Sequence, residues 1–105
     1  MTVIHLTDGG FDDFIKEGLA IVDFWASWCG PCRAFGPIFE TAAEKHADVA
    51  FGKYEITDTN RGVPMKYEIR SIPATLAFRN GELADKRIGL MDESMFEDWI
   101  KGLKL

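Results

Sequence analysis

The sequence predicts an α/β protein in which a mixed β-sheet of about five strands is covered by helices on both faces. A nearly unbroken apolar run, Leu19–Trp25, shows no alternation and indicates a central strand buried on both sides. Apolar residues at helical spacing follow this run. They are Phe35, Ile38, Phe39, Ala42 and Ala43. Nearer the C-terminus, Asn80-Gly81 separates two strand-like segments and is the strongest short hairpin signal in the chain.

The first half of the chain is predicted to hold two strands and two helices. The segment T-V-I-H-L at positions 2–6 is extended, and Asp8 is expected to cap the first helix. The apolar face of that helix is formed by Phe11, Phe14 and Ile15. The central strand then leads directly into the long second helix. Pro37 lies inside this helix, removes one backbone hydrogen bond, and is expected to kink it.

The second half is predicted to hold three strands and two helices. A strand over Val49–Ile56 precedes a turn-rich stretch and a short helix that ends near Tyr67. Two further strands, Thr75–Phe78 and Leu83–Ile88, flank the hairpin signal. Asp92 is expected to cap the last helix. The predicted apolar face of that helix comprises Met95, Phe96, Trp99, Ile100 and Leu103.

Length and charge limit the possible function classes. A chain of 105 residues has the size of one domain, so residues 1–105 are expected to form a single unit. The formal net charge of −5 argues against a protein that binds nucleic acid or an anionic membrane surface. No apolar run approaches the roughly 20 residues of a membrane span, and the N-terminus lacks the pattern of a secretory signal. The expected compartment is therefore the cytoplasm.

Both cysteines of the chain lie close together in the segment F-W-A-S-W-C-G-P-C-R-A-F. If the long helix begins there, Cys29 and Cys32 share its first turn, where Cβ atoms three residues apart are about 5–6 Å from one another. The helix N-terminus favours a thiolate over a thiol. Cys29, nearer the helix end and expected to be more exposed, is the candidate nucleophile. Cys32 is the candidate resolving thiol, and Pro31 stiffens the turn between them.

A structural disulfide and a zinc site are weaker interpretations of the cysteine pair. A structural disulfide across two residues closes a very small loop, whereas the entropic stabilisation by a disulfide grows with loop length. A zinc site is suggested by the spacing of Cys29, Cys32 and His46, which matches three of the four ligands of a zinc finger. The fourth ligand is missing, because Ala50, Phe51 and Gly52 occupy the positions where it should stand. His46 is better interpreted as a polar residue near a helix C-terminus.

The motif W-C-G-P-C-R, preceded by V-D-F-W-A and followed by P-I-F-E, closely resembles the thioredoxin family. The resemblance covers nearly the whole chain and includes K-Y-E-I-R-S-I-P, F-R-N-G-E and R-I-G. It implies a thioredoxin fold and a protein-disulfide reductase that acts as a monomer without a bound cofactor. It also implies two kinds of partner, disulfide-containing substrate proteins and a thioredoxin reductase, which is a flavoprotein using NADPH.

The resemblance also implies a set of catalytic residues. Cys29 matches the attacking cysteine, Cys32 the resolving one, Asp23 the buried acid and Lys53 the lysine near that acid. The residues support the assignment of Asp23 independently, because burial in an apolar strand should raise its pKa toward neutrality and allow it to take a proton from Cys32. The alternatives are a buried Asp23 satisfied by hydrogen bonds alone and a Lys53 that simply extends to solvent.

A substrate groove is implied by the same resemblance. Pro73 resembles the family's cis-proline, and Gly89 resembles a later glycine that faces the substrate. The groove residues are Trp28, Gly30, Pro31, Ile72, Pro73 and Gly89. They would bind an extended substrate backbone. The alternatives are core packing for Trp28 and a β-bulge for Gly89, and Trp25 is expected to lie in the core.

The sequence departs from the family pattern at several positions. Arg33 replaces the usual lysine, Ala74 stands where threonine commonly follows the cis-proline, and Gly36 should loosen the kinked helix. The stretch D-T-N-R-G-V-P-M-K-Y, which contains Asn60–Pro64, is about one residue longer than usual. The sequence leaves two rival functions. One is a thioredoxin-like oxidase or isomerase, which the Gly-Pro dipeptide disfavours, and the other is a redox-independent binding or chaperone module that uses the same groove.

Overall fold

A computed structural model describes residues 3–105, which form one five-stranded mixed sheet. The strands lie in the order β1-β3-β2-β4-β5. Their bounds are Val3–Leu6 (β1), Leu19–Trp25 (β2), Ala50–Glu55 (β3), Ala74–Arg79 (β4) and Glu82–Ile88 (β5). β3 runs parallel to both β1 and β2, whereas β4 is antiparallel to β2 and to β5. The predicted mixed α/β architecture is confirmed, and position 2 of the first predicted strand lies outside the described residues.

Four α-helices connect and cover these strands. Their bounds are Phe11–Ile15 (α1), Gly30–Lys45 (α2), Gly62–Lys66 (α3) and Glu93–Lys104 (α4). Asp92 caps α4 as predicted, because its carboxylate accepts a hydrogen bond from the N–H of Met95 at 2.8 Å. The side chain of Met95 itself is 53% exposed, so its predicted place on the buried face of α4 was wrong. No helix within residues 3–105 has the length and apolar character needed to cross a membrane.

The core is divided by the sheet into two layers. One layer packs α2 and α4 against the sheet. Its largest side chains are Phe35, Phe39, Phe51, Phe96, Trp99 and Ile100. The other layer packs α1 and α3 against the opposite face, through Phe11, Phe24, Tyr54 and Phe78. Since alternate residues of a strand point to opposite faces, Ile21 and Asp23 of β2 lie under α2 while Val22 and Phe24 lie in the second layer.

Asp8 has a different role from the predicted one. It does not cap α1, whose N-cap residue is Gly10. Its carboxylate instead accepts hydrogen bonds from the backbone N–H groups of Gly62 at 2.9 Å and Val63 at 3.0 Å, which are the first two residues of α3. It also accepts one from the hydroxyl of Tyr54. These donors, led by Tyr54, lower the pKa of Asp8 below its usual value.

The unusual stretch around Asn60 is held by the same polar cluster. The side-chain oxygen of Asn60 accepts a hydrogen bond from the N–H of Asp8 at 3.0 Å. Its amide group donates to the carbonyls of Leu6 at 3.3 Å and Glu55 at 3.0 Å. Asn60 therefore joins the C-terminal ends of β1 and β3. The stretch between β3 and α3 serves the packing of these strand ends.

Candidate active site

The end of β2 and the start of α2 together position the two cysteines. The backbone N–H of Cys29 donates to the carbonyl of Ala26 at 3.1 Å, and this turn begins directly after β2. Cys29 is the N-cap of α2, with Gly30 and Pro31 as the first helical residues. Proline fits the first turn of a helix because its missing N–H would have no partner there. The motif thus places Cys32 in the first turn of α2.

Cys29 and Cys32 form a disulfide across this first helical turn. Their Cα atoms are 5.2 Å apart, and the N–H of Cys32 donates a hydrogen bond to the sulfur of Cys29 at 3.2 Å. A sulfur in this position also lies at the positive end of a 16-residue helix, which favours its thiolate form once the disulfide is reduced. Cys29 is the more exposed of the two, as expected, although both are buried at 6% and 2% exposure.

The backbone next to Pro73 approaches the Cys29 sulfur. The Ile72–Pro73 peptide is cis, and the carbonyl oxygen of Ile72 lies 3.9 Å from the sulfur of Cys29. The carbonyl of Pro73 accepts a hydrogen bond from the N–H of Gly89 at 2.8 Å. Gly89 has a φ of +101°, which glycine adopts easily and other residues rarely do. The structure therefore brings all three residues together next to Cys29.

The other predicted groove residues, Trp28, Gly30 and Pro31, are the immediate neighbours of Cys29 in the chain. Trp28 is 76% exposed, so the alternative of core packing is excluded. Gly30 and Pro31 are exposed on the first turn of α2. The irregularity in the pairing of β4 with β5 lies at Ala77 and Phe78, so the alternative of a bulge at Gly89 is excluded too. Trp28, Gly30 and Pro31 are therefore all accessible at the surface around Cys29.

Asp23 is completely buried beneath α2. Within the described residues, neither of its carboxylate oxygens has a hydrogen-bond partner. Burial raises its pKa from 3.8 to about 7, and the positive charge of Lys53 offsets part of that effect. Lys53 is the residue paired with Asp23 on the neighbouring strand β3. A carboxyl group with a pKa near neutrality can both accept and release a proton at physiological pH.

Lys53 is held by an aromatic ring and a second carboxylate. Its Nζ lies 4.9 Å from the centroid of the Trp25 ring and 3.6 Å from Oε2 of Glu40 on α2. The Lys53 side chain is only 11% exposed, so the alternative of a lysine that simply extends to solvent does not describe it. Trp25 is partly buried beside this lysine and packs against the small core cluster of Ala26, Cys29 and Cys32, so its predicted place in the core is confirmed in part.

An open cavity of about 380 Å³ adjoins the resolving cysteine. Its walls include Trp25, Cys32, Gly36, Glu40 and Lys53. A Cβ atom added at Gly36 would lie 3.5 Å from the Nζ of Lys53, an ordinary contact distance. The cavity therefore brings solvent close to both Cys32 and Lys53.

His46 lies far along α2 from the cysteines. One ring nitrogen lies 2.8 Å from Oε1 of Glu97, and the other lies 2.7 Å from the Nζ of Lys104. Both partners belong to α4, so His46 at the C-terminal end of α2 connects two helices of one layer. Among residues 3–105, no cluster of three or more histidine, cysteine, aspartate or glutamate side chains could hold a metal ion.

Sequence reasoning missed three side chains of the site: Trp25, Glu40 and Thr75. Trp25 was placed in the core because it ends an apolar run. Glu40 lies on the polar face of α2, where a charged residue carries no signal of its own. Thr75 is fully buried on β4, opposite Asp23. Only the register of β2 with β4 brings these two residues together, and no local pattern encodes that register.

Comparison with known proteins gives a consistent result. A family model described as Thioredoxin matches residues 2–102. A thioredoxin of Mycoplasmoides gallisepticum is 43% identical over 81 residues, which are 77% of this chain and 80% of that protein. A thioredoxin of Staphylococcus saprophyticus is 36% identical over 101 residues, which are 96% of this chain and 97% of that protein. A thioredoxin of Staphylococcus epidermidis is 40% identical over 93 residues, which are 85% and 86% of the two chains.

Proposed function

This chain belongs to the thioredoxin family and is a thiol–disulfide oxidoreductase that reduces protein disulfides, and we propose that Cys29 and Cys32 carry the reaction. The observation that carries this assignment is the disulfide between the N-cap of α2 and its first turn. A pair in this position opens and closes with little backbone movement. The helix end stabilises the thiolate that must attack.

The first step is the attack of the Cys29 thiolate on a substrate disulfide. A bond forms between the Cys29 sulfur and one substrate sulfur, while the substrate S–S bond breaks and the second substrate sulfur leaves as a thiolate. That leaving thiolate takes a proton from solvent. The N–H of Cys32 supports the reactive form, because it points at the Cys29 sulfur. The product is a mixed disulfide between Cys29 and the substrate.

The second step is the resolution of this mixed disulfide by Cys32. Its thiol gives a proton to the Asp23 carboxylate, and the resulting thiolate attacks the Cys29 sulfur. The Cys29–Cys32 disulfide forms and the remaining substrate sulfur leaves as a thiolate. Lys53 lowers the cost of the charged form of Asp23 and keeps its pKa within reach of physiological pH. Asp23 and Lys53 are thus the proton acceptor and its electrostatic partner.

Substrate binding is assigned to the groove beside Cys29. The exposed ring of Trp28 and the first helical turn, Gly30 and Pro31, form one wall. Ile72, Pro73 and Gly89 form the other. An extended peptide backbone fits between these walls, and the apolar surface favours substrates whose disulfide is flanked by uncharged side chains.

The family membership implies disulfide-containing substrate proteins and a thioredoxin reductase as partners. We further assign to this chain a reductase driven by NADPH, a monomeric state, no bound cofactor, and a cytoplasmic location. Residues 1–105 are proposed to act as one unit. This is supported by β1 and α4 from the two ends of the chain, which pack in one core layer with the helix that carries the cysteines.

A redox titration followed by tryptophan fluorescence tests this function, since Trp28 adjoins the disulfide. A midpoint clearly more reducing than the cytosolic glutathione pool is expected for a reductase. A midpoint potential well above the potential of that pool would indicate an oxidase or isomerase. The absence of any two-electron transition would leave only a binding or chaperone module.

Replacement of the nucleophile separates catalysis from binding. Cys29→Ser should lose disulfide reductase activity by at least about a thousandfold, because a serine hydroxyl is a poor nucleophile toward sulfur. Turnover of insulin disulfides measures this loss. A biological role that survives in Cys29→Ser would show that the groove acts without redox chemistry.

A further inference from the structure

Three side chains form a transverse row across the sheet beneath α2. Asp23 of β2 is paired in register with Lys53 of β3 on one side and with Thr75 of β4 on the other. Residues directly opposite each other on neighbouring strands share one face, with Cβ atoms about 4.5–5.5 Å apart in an antiparallel pair. The carboxyl group of Asp23 therefore has an ammonium group on one side and a hydroxyl group on the other.

The hydroxyl group of Thr75 is as isolated as the carboxyl group opposite it. Thr75 is fully buried, and among the described residues its Oγ1 has no hydrogen-bond partner. Both carboxylate oxygens of Asp23 are in the same condition. Two unsatisfied polar groups on facing positions of one buried surface are rare, because buried polar groups are almost always paired. Their facing positions on β2 and β4 make each a candidate partner for the other.

We propose that Thr75 is a positioning residue for Asp23, whose carboxyl group it binds through its hydroxyl, directly or through one water, during the resolution step. A threonine hydroxyl is both donor and acceptor, so it donates to the carboxylate and accepts from the carboxylic acid. It thereby stays bonded to Asp23 before and after the proton arrives from Cys32. This role rests on the proposed function of Asp23 as proton acceptor.

The hydroxyl group of Thr75 should lower the pKa of Asp23. A hydrogen bond donated to the charged form of an acid favours that form and lowers its pKa. Thr75 therefore opposes the effect of burial, as Lys53 does from the other strand. Asp23 without the hydroxyl would hold its proton to higher pH, and a smaller fraction of it would be ready to accept a proton from Cys32.

Other charged groups near this row are more distant or exposed. On α2, Glu40 contacts Lys53, and Arg33 lines the same cavity. Arg87 of β5 is paired with Thr75 and exposed, with Asp85 as its ionic partner. His5 of β1 is paired with Lys53 and exposed as well. Thr75→Val leaves all of these groups unchanged, so a shift in the titration of Asp23 reports the hydroxyl alone.

The test compares Thr75→Val, which removes the hydroxyl at nearly constant volume, with Thr75→Ser, which keeps it. The carbon-13 chemical shift of the Asp23 carboxyl group is followed against pH in the oxidised protein. We expect the midpoint in Thr75→Val to rise by about one pH unit and the midpoint in Thr75→Ser to stay near the parent value. Thr75→Ala provides a second hydroxyl-free variant and should shift in the same direction as Thr75→Val.

A kinetic measurement extends the test to the reaction. The rate at which Cys32 resolves a mixed disulfide between Cys29 and a small peptide is measured from about pH 5 to about pH 9. In Thr75→Val the profile should move to higher pH, with resolution slowed about two- to fivefold at pH 7. Thr75→Ser should restore the parent profile.

Two outcomes would overturn the proposal. One is an Asp23 midpoint that does not move in Thr75→Val and Thr75→Ala, and the other is an equal shift in Thr75→Ser. Asp23→Asn separates this failure from that of the proposed function. If resolution in Asp23→Asn is as fast as in the parent, then Asp23 is not the proton acceptor, whatever the carbon-13 titration of Asp23 shows.

Discussion

The sheet has one aspartate just beyond the end of β1 and another inside β2, and the two carboxylates have opposite environments. Asp8, after β1, accepts hydrogen bonds from Tyr54, Gly62 and Val63, which lower its pKa. Asp23, in β2, has no hydrogen-bond partner among residues 3–105, and burial raises its pKa to about 7. A carboxylate that accepts several hydrogen bonds stabilises the fold, whereas a buried carboxylate without hydrogen bonds is available for proton transfer.

The largest expected difference between the two aspartates is in the rate of mixed-disulfide resolution. Asp23→Asn removes the proton acceptor for Cys32, so resolution at pH 7 should slow by about a hundredfold, the usual contribution of a general base. Asp8→Asn should leave this rate within a factor of two. Single-turnover kinetics with a peptide disulfide measure both variants. Equal slowing in the two would mean that resolution responds to stability and not to a proton acceptor.

The second difference is in the pH dependence of stability. Between about pH 4 and 7 the folded protein keeps a proton on Asp23 that the unfolded chain has lost, so the buried group lowers stability progressively over this range and fully above pH 7. Asp23→Asn does not ionise. Its free energy of unfolding relative to the parent should therefore rise by roughly 4 kcal/mol from pH 4 to 8, as three pKa units require.

The contribution of Asp8 to stability should change with pH in the opposite direction. Its pKa is lowered in the folded state, so its contribution to stability is complete at neutral pH and is lost as the pH falls through the folded-state pKa. Asp8→Asn should therefore be less stable than the parent at pH 7 and approach it in acid. Urea unfolding of both variants at several pH values measures these trends. If the free energies of unfolding of the two variants, relative to the parent, changed with pH in the same direction, the two aspartates would not have opposite effects on stability.

The smallest expected effects come from two glycines, one beside Lys53 and the other beside Asp8. A Cβ atom at Gly36 would lie 3.5 Å from the Nζ of Lys53, so Gly36→Ala fits and should stabilise α2 by about 0.5–1 kcal/mol. A Cβ atom at Gly62 would lie 2.7 Å from Oδ2 of Asp8, so Gly62→Ala must displace the carboxylate from α3. Thermal unfolding should show a higher midpoint for Gly36→Ala and a lower one for Gly62→Ala. A lower midpoint for both would mean that the cavity beside Lys53 is less open than its geometry indicates.

Local patterns were sufficient to predict most of the fold. The continuous apolar run of β2, the helical stripe of α2 and the Asn80-Gly81 turn are each encoded within a few neighbouring residues, and all three elements are present. The errors concern long-range partners. Asp8 was expected to cap the helix next to it, but it binds α3 from more than fifty residues away. Met95 has the same helical spacing as the buried apolar residues of α4, but its side chain is exposed and does not pack in the core.

The candidate site also combines features that are encoded by neighbouring residues with features that depend on residues far apart in the chain. The reactive pair was predictable from local sequence, because the spacing of Cys29 and Cys32 and the start of a helix are local properties. The sequence also indicated Asp23, because a carboxylate in an apolar strand is costly wherever that strand is buried. The groups that surround the Asp23 carboxylate, in contrast, depend on how the strands pair. Lys53 and Thr75 flank it through the register of three strands, and strand register depends on the packing of the whole sheet and not on any local pattern.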